Sequence, residues 1–100
     1  MTYQEIIADA LLTYGSEAQK TMVIEECSEL INAIAKERRK RVTNSEVVTE
    51  IADVQIMIWQ LKEMYGRDAV DAEVESKMKR LAARLEAFHE NEPKRGTQIK

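Results

Sequence analysis

Glycine, proline, cysteine and aromatic residues are all scarce in this chain of 100 residues. It has three Gly, one Pro, one Cys and five aromatics. Few Gly and Pro leave little material for hairpin turns, and few aromatics leave little for a β-sandwich core. The abundant Ala, Glu, Lys, Ile and Leu favour helices throughout. The single cysteine, Cys27, excludes an internal disulfide and a cysteine-based zinc cluster. Long apolar runs and a signal-peptide pattern are also missing, so the expectation is a cytoplasmic protein without a membrane partner. A net charge of -3 implies no strongly basic face, and nucleic acid is not expected as a partner.

Four amphipathic segments fill the chain. Tyr3, Ile6, Ile7, Ala10, Leu11 and Tyr14 recur at helical spacing before Gly15. "SEAQ" reads as a capping box that opens a second helix at Ser16, with Gln19 at its third position. Val23, Ile24, Cys27, Ile31 and Ile34 mark its expected buried stripe, and "KERRKR" suits its C-terminal end. Thr43 and Glu46 repeat the capping-box signal before Val47, Ile51, Val54, Ile58, Leu61 and Tyr65, and Gly66 stops that helix. A fourth helix spans about 68–89, with Val74, Met78, Leu81, Leu85 and Phe88 expected to face inward. Residues 91–100 read as a polar, disordered tail behind one all-α domain covering 1–90. Short connections make neighbouring helices antiparallel, giving a four-helix bundle-like fold.

The acids raise the functional question. Glu26 and Glu29 lie on one flank of the second helix, and Glu50 and Asp53 form a matching pair on the third. Glu50 falls inside the apolar arc, between Val47 on one side and Val54 and Met57 on the other. A carboxylate there is costly unless it is paired, protonated or bound to a metal. In a hairpin turning near Arg41, Glu29 and Asp53 are level, with Glu26 and Glu50 about one turn to either side. Four carboxylates then converge, and an all-oxygen donor set suits Mg²⁺ or Mn²⁺. Acid-rich flanks are more often solvated faces, and that plain reading fits Glu25 best. Glu50 on an apolar stripe shifts the balance to metal. A di-iron site is excluded, because it needs Glu-x-x-His pairs and the lone His89 is far along the chain.

Glu26-x-x-Glu29, a spacer of about twenty residues and Glu50-x-x-Asp53 resemble the signature of the all-α nucleoside triphosphate pyrophosphohydrolases, the MazG-like group. "EECSELINAIAKERR", "EIADVQIMIWQL" and "KMKRLAARL" extend the similarity over about residues 15–88, in the manner of single-domain, prophage-type members. "ADVQIM" departs from the "ADLLYH" of the related phosphoribosyl-ATP pyrophosphohydrolases, while the dimeric all-α dUTPases stay open as a branch.

The resemblance implies Mg²⁺-dependent hydrolysis of a (deoxy)nucleoside triphosphate between the α and β phosphates, giving a monophosphate and pyrophosphate. It implies Glu26, Glu29, Glu50 and Asp53 as metal ligands; Glu25, one residue from the cluster, is read from its position alone as a candidate catalytic base. Lys77 and Arg80 match the basic positions of the family's last motif, and with Arg84 they form a flank that would hold the triphosphate. A solvated basic face is the bland alternative for these three.

Val48, Ala52, Ile56 and Trp59 give the third helix a second apolar face, so a homodimer or a dimer of dimers is expected. The competing hypothesis is a catalytically silent helical module for oligomerisation or partner binding. Such a module would prefer Leu at position 50. No residue pattern indicates the base or sugar.

Overall fold

The computed structural model describes residues 1–92. Four helices appear in chain order: α1 (Tyr3–Tyr14), α2 (Ser16–Arg38), α3 (Asn44–Tyr65) and α4 (Arg67–Glu90). No strand occurs among the described residues, in line with the all-α expectation. The chain divides into two compact units, Met1–Arg67 and a second that begins at Asp68. In the first, α2 and α3 pair most extensively and α1 packs on both.

Local chemistry sets the helix ends. Thr2 Oγ1 accepts from the Glu5 amide at 3.1 Å while the Thr2 amide donates to the Glu5 carboxylate at 2.7 Å, a complete capping box. The Thr43 amide donates to the Glu46 carboxylate at 3.4 Å, as expected. The expected box at Ser16 does not form. Gly15, at φ 89°, both ends α1 and precedes α2, and Ser16 is already helical. The α2 C-terminus closes in a Schellman pattern, with Arg41 N–H donating to Lys36 O and Lys40 N–H to Glu37 O, both at 2.8 Å. Lys40 occupies the left-handed position at φ 60°, where glycine is preferred. Lys40→Gly is expected to raise stability by about 0.5–1 kcal/mol, read from chemical denaturation.

Gln19 has a different task from capping. It is buried, and its Nε2 donates to Oε1 of buried Gln60 on α3 at 2.6 Å. Gln60 Nε2 in turn donates to Met57 Sδ at 3.8 Å. Removing one partner leaves the other amide buried and unpaired, at about 1–3 kcal/mol. Gln60→Leu should therefore destabilise by that amount, and adding Gln19→Leu should restore most of it. A double-mutant cycle measures the coupling directly.

The helix stripes face differently from the sequence expectation. On α2, Gln19 is buried and Val23, Glu26, Cys27, Leu30 and Ala33 are half-buried, whereas Ile24, Ile31 and Ile34 are exposed. On α3, Met57 and Gln60 are buried, while Ile51, Ile58 and Tyr65 are exposed. The hairpin contact is thus turned away from the richest apolar edge of each helix, towards Glu26 and Glu50. The second face of α3 is partly covered by α1. The Trp59 ring lies 5.9 Å from that of Tyr3, and Ala52, Ile56 and Trp59 line a groove of about 450 Å³ with Tyr3, Ile6 and Ile7. Val48 stays exposed.

In the second unit, α4 buries none of its residues, so the expected inward stripe of Val74, Met78, Leu81, Leu85 and Phe88 is exposed. Most of the expected tail, 93–100, lies outside the described residues. No helix among the described residues is long and apolar enough to cross a membrane.

Candidate functional site

The rotation of the α2–α3 contact brings acids together from both helices. Glu26, Glu29 and Glu50 each offer a carboxylate oxygen within 4.8 Å of the others. Glu26 and Glu50 are half-buried and Glu29 is exposed, so the cluster opens to solvent on one side. Glu50 Oε1 is shut off from water and has no hydrogen-bond partner among the described residues. An orphaned buried acceptor of this kind is uncommon, and it lies in the group that a cation would bridge.

The clustered acids also perturb one another. Loss of solvation raises the Glu26 pKa above its ordinary 4.5, helped by hydrogen bonding to Glu29 and by the charges of Asp53, Glu29 and Glu50. Glu50 is likewise raised by desolvation first, then by Glu29 and Asp53. Asp53 is half-buried and acts on both Glu26 and Glu50, although it is not one of the three acids that meet within 4.8 Å.

These shifts fix a pH dependence. A carboxyl whose folded pKa is raised binds more protons in the folded than in the unfolded protein. The resulting stability is present below pH 4.5 and is lost as pH rises through the folded values. In metal-free wild type this contribution should pull the melting temperature down as pH rises from about 4.5 towards neutrality. Glu50→Gln should flatten that fall, and the difference between the two melting-versus-pH curves is the quantity to measure.

A cleft of about 150 Å³ adjoins the cluster on the side of the α2–α3 turn, lined by Glu29, Asn32, Ala33, Lys36, Val42, Glu46 and Glu50. Lys36, Asn32 and Glu46 were not singled out as site residues by spacing. Lys36 belongs to the basic run that reads as a helix C-terminus, and Glu46 to a capping box, so spacing gives neither of them a place beside the acids. Glu25 is exposed and is not part of the cluster. Lys77, Arg80 and Arg84 are on α4, in the second unit, and all three are exposed. Lys77 pairs with Glu73 at 3.9 Å, an exposed i,i+4 contact of the kind worth a few tenths of a kcal/mol.

The chain matches no family model, no curated protein and no solved structure.

Proposed function

We propose that the protein is a cytoplasmic, Mg²⁺-dependent nucleoside triphosphate pyrophosphohydrolase of the MazG-like type. The observation that carries this reading is the convergence of Glu26, Glu29 and Glu50 from two helices, with one Glu50 oxygen buried and unpartnered. Three carboxylates with no nitrogen or sulfur among them fit a hard divalent cation, Mg²⁺ or Mn²⁺. The half-open side leaves room for water and phosphate oxygens. Glu26, Glu29 and Glu50 would hold the cation, and Asp53, close enough to perturb two of them, would complete the set.

When bound, such a cation neutralises the triphosphate and makes an attacking water more acidic. The chain's own residues then have defined tasks. The four acids orient the site, and exposed Glu25 is the candidate acceptor of the water proton. Lys77, Arg80 and Arg84 keep, from the resemblance alone, a proposed role in binding phosphate. Water oxygen adds to the α-phosphorus as the bond to the β-phosphate's bridging oxygen breaks, giving a monophosphate and pyrophosphate. We also propose that the working form is a homo-oligomer, supported by the exposed apolar residues on α2 and α3.

Those same residues favour one other reading, a silent helical module that binds partners. Two measurements separate the readings. A panel of (d)NTPs assayed for pyrophosphate tests the reaction and reveals the base and sugar preference. Thermal melting with millimolar Mg²⁺ and a non-hydrolysable triphosphate tests binding. Pyrophosphate release and an upward shift support the hydrolase, and neither one occurring favours the silent module.

A further inference from the structure

The acid cluster shares a small cleft with a cation. Lys36 on α2 is half-buried and, with Asn32, lines the same cleft of about 150 Å³ as Glu29 and Glu50. Glu29, Asn32 and Lys36 follow one another at steps of three and four residues, so they share one edge of α2. Lys36 forms no ion pair among the described residues, although three carboxylates line its cleft. Those carboxylates are engaged elsewhere. Glu46 Oε2 accepts from the Thr43 amide, while Glu29 and Glu50 converge on Glu26. Nor is Lys36 required by the negative end of the helix, since Arg38, Arg39 and Lys40 supply positive charge there.

No single ion suits this lining. Ionised Glu29, Glu46 and Glu50 only accept hydrogen bonds, the Lys36 ammonium only donates, and the Asn32 amide group can donate beside it. A bare anion would meet three like charges, and a bare cation would meet the ammonium. A phosphate group carrying a divalent cation satisfies both kinds of lining, with the cation towards Glu29 and Glu50 and phosphate oxygens towards Lys36 and Asn32. Size agrees with this. Sites for drug-sized ligands run to roughly 300–1,000 Å³, whereas this cleft is about 150 Å³ and has no aromatic ring on which a base could stack. Beyond Lys36 the chain continues into Arg38, Arg39, Lys40 and Arg41, which makes the potential positive on the side of the turn.

We propose that Lys36, with Asn32 beside it, holds the pyrophosphate end of the triphosphate next to the acid cluster and so forms the leaving-group subsite. The inference rests on the hydrolase reading above and adds to it a residue that the resemblance does not supply. Lys77, Arg80 and Arg84 belong to the second unit, whereas Lys36 belongs to the same unit as the acids. As water oxygen adds to the α-phosphorus, the electron pair of the breaking bond stays with the bridging oxygen of the departing pyrophosphate. Its negative charge therefore grows, and an ammonium already in place stabilises that growth. Divalent metal and pyrophosphate then bind cooperatively, each raising the affinity of the other by the same factor.

Calorimetric titration of the full chain tests this, with Mg²⁺ alone and with pyrophosphate in the presence and absence of Mg²⁺. The chains compared are wild type, Lys36→Gln, Lys36→Arg and Arg38→Gln, the last at an exposed position outside the cleft. Wild type should bind pyrophosphate at least about tenfold more tightly with Mg²⁺ than without. Lys36→Gln should weaken pyrophosphate binding in Mg²⁺ by roughly ten- to a hundredfold, the scale of one charged hydrogen bond. The same variant should bind Mg²⁺ alone as tightly as wild type or more tightly, because a like charge beside the metal is gone. Lys36→Arg should keep most of the pyrophosphate affinity, and Arg38→Gln should change it by less than about twofold, since an exposed charge is screened. A purely structural Lys36 would lower both affinities together. That result, wild-type pyrophosphate affinity in Lys36→Gln, or an equal loss in Arg38→Gln overturns the subsite and leaves the hydrolase reading standing. A wild type that binds neither Mg²⁺ nor pyrophosphate overturns both.

Discussion

Glu50→Gln is expected to melt at the same or a higher temperature than wild type without divalent metal, to lose most of the stabilisation given by Mg²⁺, and to lose pyrophosphohydrolase activity by at least about a hundredfold. The three effects share one cause. Glu50 holds a carboxylate oxygen away from water with no hydrogen-bond partner among the described residues, within reach of Glu26 and Glu29. Its charged form is disfavoured by desolvation and by Glu29 and Asp53, so the metal-free protein gains from removing the charge. A cation held by this cluster would reverse the sign, because the carboxylates that repel one another would become its ligands. The amide keeps the shape and one oxygen but not the charge. Glu86 on α4, exposed and outside the cluster, should tolerate the same change with neither property altered. Melting curves with and without Mg²⁺, alongside a pyrophosphate assay, measure all three effects. Full activity and a full metal response in Glu50→Gln would remove Glu50 from the ligand set and take the proposed site with it.

Met57→Ala should lower stability by about 2–5 kcal/mol, the range for truncating a buried methionine. Met57 and Ile7 are the buried apolar residues among those described, so the first unit has little other core to absorb the loss. The sulfur also accepts from Gln60, whose amide group is the acceptor for Gln19. Truncation therefore opens a cavity beside a buried polar pair and loosens the α2–α3 contact. In a chain of this size the melting temperature should fall by about 10 °C or more, with a broader transition. Leu12→Ala, at a position 86% exposed, should move it by no more than about 1 °C. An equally sharp transition within a few degrees of wild type in Met57→Ala would show that the core lies elsewhere, in the subunit contact for example. The two variants pull in opposite directions. Position 57 supports the hairpin, whereas position 50 strains it.

Sequence by itself determined the helices, their order and most of their ends. Those follow from short-range physics: side-chain spacing over 3.6 residues, Thr2 and Thr43 beside their Glu partners, and Gly15 and Gly66 at positive φ. It also singled out Glu50, because a carboxylate on an apolar stripe is costly wherever the helix is placed, and with it Glu26, Glu29 and Asp53 at neighbouring levels of the hairpin. Tertiary structure decided which edge of each stripe is covered. Periodicity finds an apolar arc but not the direction of a neighbour, and the arcs of α2 and α3 are wider than one contact can bury. Ile24, Ile31, Ile51 and Ile58 therefore read as core from spacing, yet are left in solvent. Gln19 and Gln60, polar and 41 residues apart, are buried instead because each satisfies the other. That pairing is invisible to any local rule. The same turn of the helices makes room for the acid cluster: a hydrogen bond between two amides holds α2 and α3 with Glu50 between them, where apolar packing alone would have placed isoleucine.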